Sequence, residues 1–392
     1  AGAAQARGTA PAACPWVAAW GASQMIADGD NALPEAARHD VTLRQVLRPS
    51  IGGTALRVRF SNVFGTAPLR IDAVSLALAT KPGGSAITPG SNVALHFGGQ
   101  PGVVIPAGGE WLSDPVAMPL APFADLAVSL HLPAAPARET GHPGSRTTSY
   151  WTSGNHVGDE TLAGGGSIDR WYLVSGVEVR ACATPVVVAL GDSITDGRGS
   201  TTNGNDRWTD RLARRLGGKV AVINQGIGGN RVLLDGLGPN AMARFDRDVL
   251  AVPGVRSLIV LEGINDIGTL TREHPVSAAD HAALVAQVTG AYAQIVSRAH
   301  AHGIKVYGGT VMPFMGMDYY HPDALNEADR QAINAWIRTP GHFDAVIDFD
   351  KALRDPAHPD RLDPRYDSGD SIHPGPAGYA AMAQAVPLEL LR

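Results

Sequence analysis

The chain has 392 residues, of which 44% are hydrophobic, and this length is more typical of two domains than of one. The formal net charge is -5 and no block of basic residues stands behind it, which argues against a nucleic-acid-binding surface. No apolar run is long enough to cross a bilayer, so we expect no membrane span. The 46 Gly and 28 Pro, many of them in the first half, predict that this half is rich in turns.

The first residues and the two cysteines bear on where the protein works. The chain opens at Ala1 with a run of small residues, which fits a mature chain after removal of an export signal and equally fits a cloning boundary. Cys14 and Cys182 bracket the first half, and a disulfide between them would tie the amino-terminal arm, residues 1–14, to the domain boundary. Two unrelated free thiols are the alternative. We expect a secreted or periplasmic protein.

The first half, residues 15–183, has the pattern of short strands separated by turns. Residues 56–60 and 69–74 alternate apolar with polar side chains, as half-buried strands do. Glycine- and proline-rich turns such as 106–109 separate these segments, and no long helical periodicity interrupts them. We predict an all-β, antiparallel, jelly-roll-like sandwich.

Carbohydrate binding is one possible role of such a sandwich, because its tryptophans could stack on sugar rings. The alternative, which we favour, is that they fill the core or the interface between the domains. The tryptophans concerned are Trp16, Trp20, Trp111, Trp151 and Trp171. Residues 147–156 have the composition of a loop and could border a catalytic crevice.

The second half, residues 184–392, alternates strands with helices, which is typical of a three-layer α/β/α domain with a parallel sheet. The predicted strands are 186–190, 219–224, 256–262, 304–310 and 344–348, and the predicted helices are 206–216, 240–250, 277–302, 326–338 and 376–390. Right-handed crossovers would place the carboxyl ends of all five strands at one edge of the sheet.

Ser193 stands just beyond the carboxyl end of the first of these strands. The strand is a run of apolar, mostly β-branched residues, and the chain turns at Gly191 before Asp192 and Ser193. Ligands of open parallel sheets bind in the crevice at this edge. A serine there can act as a nucleophile if a base, an orienting carboxylate and oxyanion donors come from elsewhere in the chain.

Three further motifs fall at the same predicted edge. A glycine cluster at 226–229 follows the second strand, Gly-x-Asn-Asp at 263–266 follows the third, and Asp-x-x-His at 370–373 precedes the last helix. Together with Gly-Asp-Ser at 191–193, these motifs resemble, in order, the four blocks of the SGNH (GDSL-type) serine ester hydrolases. The resemblance covers residues 185–392. The order of sandwich and hydrolase is similar to that of certain two-domain bacterial carbohydrate esterases, which is an analogy of architecture.

The resemblance implies a role for each motif. Ser193 would be the nucleophile, His373 the general base and acid, and Asp370 the carboxylate that orients the imidazole. The backbone N–H groups of Ser193 and Gly229 and the side-chain amide of Asn265 would form the oxyanion hole.

Some of these positions have alternatives. Gly228 competes with Gly229, and Asp367 competes with Asp370, although only Asp370 has the family's Asp-x-x-His spacing. Asp192 is expected to support the turn by hydrogen bonding. A serine after a strand is, taken alone, more often a helix N-cap than a nucleophile.

The sequence thus predicts a serine esterase that hydrolyses short-chain, acetyl-type esters of a small molecule or a polysaccharide, through an acyl-enzyme and without metal or cofactor. A broad short-chain esterase or lipase-like acylhydrolase is the alternative within the class, and a catalytically inactive carbohydrate-binding protein is the alternative outside it. Nucleotide binding at the turn 226–231 and a metal at His300 and His302 are weaker hypotheses. The oligomeric state stays open.

Overall fold

A computed structural model describes residues 13–392. Its first half is built almost entirely from β-strands. They are β1 (Trp16–Gly21), β2 (Met25–Ala27), β3 (His39–Leu47), β4 (Leu56–Ser61), β5 (Leu69–Ile71), β6 (Ala73–Leu78), β7 (Val93–Leu95), β8 (Val103–Ile105), β9 (Glu110–Leu112), β10 (Leu126–Ala134), β11 (Glu139–His142), β12 (Ser149–Ser153), β13 (Gly166–Ile168), β14 (Trp171–Tyr172) and β15 (Val174–Arg180). Two 3-10 turns, Gly29–Asn31 and Glu35–Ala37, lie between β2 and β3.

These strands pair antiparallel, mainly in a four-stranded sheet of order β1-β15-β4-β9 and a six-stranded sheet of order β13-β12-β3-β10-β6-β7. A three-stranded sheet, β14-β11-β2, and a two-stranded one, β5-β8, complete the half. β4 shows why the pattern predicted strands, because Leu56, Val58 and Phe60 are buried while Arg57 and Arg59 are partly exposed. The predicted β-sandwich is confirmed, and its jelly-roll topology stays a prediction.

The second half alternates strands with helices. The strands are β16 (Val186–Gly191), β17 (Ala221–Gly226), β18 (Val255–Leu261), β19 (Lys305–Gly309) and β20 (Ala345–Ile347). The helices are α1 (Ser193–Asp196), α2 (Trp208–Arg215), α3 (Ala241–Phe245), α4 (Ile264–Thr271), α5 (Ala278–His300), α6 (Ala324–Arg338), α7 (Phe349–Leu353) and α8 (Pro376–Ala385). A π-helical turn, Asp246–Leu250, continues α3, and a 3-10 turn, Leu388–Leu390, follows α8.

The five strands form one parallel sheet of order β17-β16-β18-β19-β20, which confirms the predicted α/β fold. β16 is buried along its whole length, as a strand covered on both faces must be. In the register of the sheet, Gly191 at the end of β16 lies beside Gly226 of β17 and Leu261 of β18. The carboxyl ends that carry the sequence motifs therefore meet at one edge.

Two predicted helices end differently from their predicted limits. The helix predicted over 240–250 is α-helical only to Phe245 and then widens into the π-helical turn. The helix predicted over 376–390 ends at Ala385, because Pro387 disfavours helical geometry at the residue before it. Val386 is accordingly extended, with φ -80° and ψ 118°. The short helices α1, α4 and α7 were not predicted, since one or two turns carry little periodicity.

The two halves are joined covalently and share a core. A disulfide links Cys14 to Cys182, whose Cα atoms are 4.8 Å apart. One continuous cluster of buried apolar side chains runs through both halves. Between β3 and β4, the Ser50 hydroxyl accepts a hydrogen bond of 3.0 Å from the backbone N–H of Val222 in β17. Because the core is shared, the division at 183/184 stays a prediction.

The tryptophans of the first half are mainly structural. Trp20 and Trp171 are buried and pack edge to face, with ring centroids 5.0 Å apart. The guanidinium of Arg180 lies 4.5 Å from the ring centroid of Trp16. Trp111 is the exception, since 44% of it is exposed. Among residues 13–392, no helix has the length and apolar character needed to cross a membrane.

Candidate active site

Ser193 is held at a sharp turn between β16 and α1. Asp192 precedes it as the N-cap of α1 and accepts a 2.9 Å hydrogen bond from the backbone N–H of Ile194, which fits the expected supporting role. Gly191 is required for the turn, because a Cβ atom there would lie 2.2 Å from the Thr195 hydroxyl oxygen. This close packing places Ser193 in the first turn of α1, at the edge of the sheet.

The structure brings Ser193, His373 and Asp370 into one hydrogen-bonded line. Ser193 Oγ lies 2.7 Å from His373 Nε2, and His373 Nδ1 lies 2.6 Å from Asp370 Oδ2. The other oxygen of Asp370 accepts the backbone N–H groups of Ile372 and His373. Burial alone would raise the pKa of Asp370, but the hydrogen bonds and charge of His373 hold that pKa well below its ordinary value. The Asp370 carboxyl group is therefore ionised at neutral pH, where its charge can stabilise the imidazolium of His373.

Asp367, the alternative carboxylate, has a different place in the same loop. Its Oδ1 accepts the backbone N–H groups of Gly369, at 2.8 Å, and of Ser371, at 3.1 Å. These bonds shape the turn that carries Asp370 and leave the imidazole of His373 to Asp370. The family spacing and the geometry therefore select the same residue.

The predicted oxyanion donors line the cavity that contains Ser193. Gly229, with φ +70°, lies in the turn after β17, and the backbone N–H groups of Ser193 and Gly229 meet no acceptor in the part of the chain that the structure describes. Gly228 lines the same cavity, so the choice between the two glycines stays a prediction.

Asn265 is fixed through both ends of its amide. Its Nδ2 donates to the carbonyl oxygen of Asn230 at 2.8 Å, and its Oδ1 accepts the hydroxyl of Tyr320 at 2.7 Å. An amide nitrogen carries two hydrogens, so one N–H remains for a ligand in the cavity. Sequence reasoning missed Tyr320, because no local motif signals a contact across 55 positions.

A buried arginine, Arg244, holds together the turns that follow β16 and β17 by hydrogen bonds to their carbonyl oxygens. Arg244 is fully buried and donates to the carbonyl oxygens of Gly191, at 3.0 Å, and Gln225, at 2.7 Å. It also donates to Asn230 Oδ1 at 2.8 Å and pairs with Asp248 at 2.9 Å. One guanidinium thus connects the ends of β16 and β17 with the loop that holds Asn265.

Three carboxyl groups beneath the site have raised pKa values, mainly because they are buried. The pKa of Asp192 rises to about 7 and that of Asp266 to about 6. The pKa of Glu262 is also raised well above its ordinary value, first by burial and then by the charge of Asp192. Asp266 accepts the backbone N–H groups of Val232 and Leu233, which fixes the loop after the glycine cluster.

The sandwich half contributes to the site through a second histidine–aspartate pair. His142, at the end of β11, lies with Nε2 2.7 Å from Asp196 of α1 and with Nδ1 2.7 Å from the carbonyl oxygen of Ser23. Burial lowers the pKa of His142, but the charge and hydrogen bond of Asp196 together with the hydrogen bond to Ser23 give a pKa above the ordinary value. The Arg207 guanidinium also donates to the carbonyl oxygen of Ser145. Sequence reasoning pointed to residues 147–156 and missed His142.

These groups surround one open cavity of about 920 Å³. Its walls come from both halves of the chain. Its lining includes Met25, Asn31, His142, Arg146, Ser193, Asp196, Arg198, Gly228, Gly229, Arg231, Asn265, Arg272, Tyr319, Tyr320, Asp370 and His373. All the predicted catalytic and oxyanion-hole residues thus line a single cavity.

The two weaker hypotheses find ordinary structural explanations. A Cβ atom at Gly226 would lie 2.3 Å from the backbone nitrogen of Asp196, so this glycine allows close packing of β17 against α1. His300 lies 2.8 Å from Asp344, whereas His302 Nδ1 lies 3.1 Å from the carbonyl oxygen of Arg298. Each of the two histidines therefore has its own partner.

The fold and the site together define an α/β protein with a serine, a histidine and an aspartate in one hydrogen-bonded line at the edge of a parallel sheet. Residues 189–381 match the GDSL-like Lipase/Acylhydrolase family, and this half of the chain is a GDSL-like lipase/acylhydrolase domain.

Solved structures similar to the chain include a GDSL-like lipase from Bacteroides thetaiotaomicron, with 20% identity, 51% of this chain and 84% of that chain covered, and a TM-score of 0.39. An acetyl xylan esterase has 22% identity, covers 51% of this chain and 96% of its own, and has a TM-score of 0.39. A carbohydrate acetylesterase from Sinorhizobium meliloti has 16% identity, with 51% and 95% covered and a TM-score of 0.39. No curated protein matches the chain.

Proposed function

We propose that the protein is a serine esterase that removes short acyl groups, acetyl in the first place, through an acyl-enzyme. The observation that carries this proposal is the line from Ser193 Oγ to His373 Nε2, at 2.7 Å, and from His373 Nδ1 to Asp370 Oδ2, at 2.6 Å. A hydroxyl is a weak nucleophile alone, and an imidazole within hydrogen-bond distance can remove its proton during attack.

In acylation, Ser193 Oγ attacks the ester carbonyl carbon and its proton passes to His373 Nε2. The carbonyl π electrons move to oxygen, and the resulting oxyanion is bound by the N–H groups of Ser193 and Gly229 and by the Asn265 amide. Asp370 stabilises the imidazolium. Collapse of the tetrahedral intermediate breaks the bond to the leaving alcohol, which takes the proton from His373.

In deacylation, water takes the place of the alcohol. His373 removes a proton from that water as it attacks the acyl carbonyl, and a second tetrahedral intermediate forms on the same donors. Its collapse releases the carboxylic acid and returns the proton to Ser193 Oγ. Apart from that water, the proposed cycle uses side chains and backbone groups of this chain.

A short acyl group and a sugar alcohol fit the walls of the cavity. The lining mixes glycines, arginines and other polar residues with apolar side chains such as Ile227 and Leu237, whereas a long acyl chain needs a continuous apolar channel. Tyr319 lies at the rim and is 57% exposed, which offers an aromatic face for a sugar ring. We therefore propose a polysaccharide or oligosaccharide ester as substrate.

We also propose that the protein acts outside the cytosol, in the periplasm or beyond the cell. The Cys14–Cys182 disulfide supports this location, because such bonds form and persist in oxidising compartments.

Hydrolysis of 4-nitrophenyl esters of increasing acyl length tests the proposal. We expect kcat/KM to be highest for the acetate and to fall for the octanoate. Equal or rising rates with length favour the broad lipase-like acylhydrolase.

Ser193→Ala tests the nucleophile, with loss of about 10⁴-fold or more in kcat expected. A serine-directed phosphonate should label Ser193 in the unmodified protein and abolish turnover. Binding of oligosaccharides without turnover of any ester would instead identify an inactive carbohydrate-binding protein.

A further inference from the structure

Several arginines that line the active-site cavity have no ion-pair partner among the described residues. Arg146, Arg198 and Arg231 line it, and none of them forms an ion pair with any residue that the structure describes. Arg272 also lines the cavity and pairs with Glu273, outside the lining.

The carboxylates of the lining do not neutralise these arginines. Asp196 Oδ1 lies within hydrogen-bond distance of His142 Nε2, at 2.7 Å, and Asp370 Oδ2 lies 2.6 Å from His373 Nδ1. Asp318, the remaining carboxylate of the lining, is exposed at the rim. The walls of the cavity therefore favour a negatively charged ligand.

Arg146 is held in place by its backbone. Its φ of +50° lies in the left-handed region, which is uncommon for a residue with a Cβ atom and persists only where the surroundings impose it. Its carbonyl oxygen accepts the backbone N–H of Asn203 at 2.9 Å, and Asn203 Oδ1 accepts the backbone N–H of Thr148, also at 2.9 Å. The Nε atom of Arg146 is buried and has no hydrogen-bond partner among the described residues. The Arg146 side chain as a whole is only partly buried and lines the cavity, so its remaining N–H groups are the ones that a ligand can reach.

Arg198 belongs to the same wall, close to the nucleophile. Its backbone N–H donates to the carbonyl oxygen of Ser193 at 2.9 Å, and its own carbonyl oxygen accepts the hydroxyl of Tyr379 at 2.5 Å. Burial raises the pKa of Tyr379, and the positive charge of Arg146 acts on it in the opposite direction, so Arg146 also lies near this tyrosine. Arg146 and Arg198 thus both line the cavity that contains Ser193, and the side chain of Arg198 is exposed there.

We propose that Arg146 and Arg198 bind a carboxylate on the alcohol part of the substrate, so that the esters cleaved are acyl esters of acidic sugars, the uronates. This inference rests on the proposed esterase function and adds the charge of the substrate to it. A guanidinium matches the planar carboxylate with two parallel N–H donors. Among sugars, a uronate carries this group on the same ring as the esterified hydroxyls.

The test compares two substrates that differ only in this charge, O-acetylated methyl glucuronoside and O-acetylated methyl glucoside. We expect kcat/KM to be at least about tenfold higher for the uronate, because hydrogen bonds to charged groups contribute on this scale. Arg146→Ala should reduce the ratio of the two kcat/KM values about tenfold, and Arg146→Lys should restore part of it. Arg256→Ala is the matched control, since Arg256 is exposed in β18 and lies outside the cavity lining.

The outcomes separate this inference from the function on which it rests. Turnover of 4-nitrophenyl acetate with equal kcat/KM for the uronate and the glucoside would overturn the carboxylate subsite alone. A preference for mono-4-nitrophenyl succinate over the acetate, lost in Arg146→Ala and with no preference for the uronate, would move the charge to the acyl part and overturn the inference as stated. Absence of turnover of every ester would overturn the proposed function and this inference with it.

Discussion

At the scale of single residues, the site depends on short hydrogen bonds between groups that local motifs bring to one edge. Asp370 and His373 are three positions apart, so one turn can orient the imidazole, and the resemblance to the SGNH hydrolases predicts the pair through its Asp-x-x-His spacing. Asn265 is different, because the motif predicts its presence while Tyr320 and Asn230 decide the orientation of its amide.

Asp370→Asn should lower kcat by about 10³- to 10⁴-fold, because an amide cannot stabilise the imidazolium and favours the wrong tautomer. Steady-state hydrolysis of 4-nitrophenyl acetate measures the loss. Asp367→Asn is the matched control, since its carboxylate accepts only backbone N–H groups of the loop. Equal losses in the two variants would contradict the assignment of Asp370.

Tyr320→Phe should lower kcat about tenfold and leave KM nearly unchanged, because the Asn265 amide loses the 2.7 Å bond that orients it toward the oxyanion. Tyr319→Phe is the neighbouring control, since the Tyr319 hydroxyl accepts from Arg272 at the rim. A loss confined to KM, or shared by both variants, would argue against a positioning role for Tyr320.

At the scale of elements, three acidic side chains are buried together where β16 and β18 end and α1 and α4 begin. Asp192 caps α1, and Glu262 and Asp266 lie at the end of β18 and in α4. Burial raises all three pKa values, so these groups keep protons in the folded state that they lose in the unfolded state. The fold therefore becomes less stable as the pH rises from the pKa values of these groups in the unfolded chain to their raised values in the folded protein.

The pH dependence of stability should follow from Asp192. Its pKa is about 7 in the folded protein and about 4 when unfolded, so the free energy of unfolding should fall between pH 4 and 7, by at most about 1.4 kcal/mol per pH unit for one proton. Asp192→Asn keeps the acceptor for the backbone N–H of Ile194 and removes the charge.

Urea unfolding at pH 5, 6, 7 and 8 should therefore give a flatter profile for Asp192→Asn than for the parent protein. The exposed Asp318→Asn is the control and should follow the parent profile. Parallel profiles for Asp192→Asn and the parent would refute the raised pKa.

At the scale of the whole molecule, the sandwich and the hydrolase half are packed as one body. Ser23 Oγ of the first half lies within hydrogen-bond distance of two side chains of the second half, 2.9 Å from Gln225 Oε1 and 2.8 Å from Asp248 Oδ2. Ile223 of β17 packs against β1, where a Cβ atom at Gly21 would lie 2.7 Å from its Cγ2. The same interface carries His142 to the wall of the active site.

The hydrolase half expressed alone, as residues 184–392, should fail to fold cooperatively. It would expose the apolar face of β17 and leave Asp196 without His142. Near-UV circular dichroism and 4-nitrophenyl acetate hydrolysis, compared with the full chain, give the answer. A cooperative unfolding transition with full activity would show two independent domains and confirm the predicted boundary at 183/184.

The disulfide should stabilise the whole chain. It closes a loop of 168 positions, and in the chain-entropy view its removal lowers the free energy of unfolding by up to about 5 kcal/mol. Urea unfolding of the double variant Cys14→Ser/Cys182→Ser measures this loss. Dithiothreitol should bring the parent protein to the same stability and leave the variant unchanged, and a parent protein insensitive to reductant would contradict the bond.

The sequence by itself determined what depends on local pattern. Alternating and continuous apolar runs predict the strands. The resemblance of four motifs to those of the SGNH hydrolases implies the roles of Ser193, Asn265 and His373, and the predicted parallel sheet places three of these motifs at the ends of its strands.

The tertiary structure decided what depends on contacts between distant segments. The pairing of His142 with Asp196, the bond from Tyr320 to Asn265 and the raised pKa of Asp192 all arise where separate segments exclude water. No pattern along the chain encodes such contacts. The first follows from the packing of the two halves, and the second from the packing of distant segments within the hydrolase half.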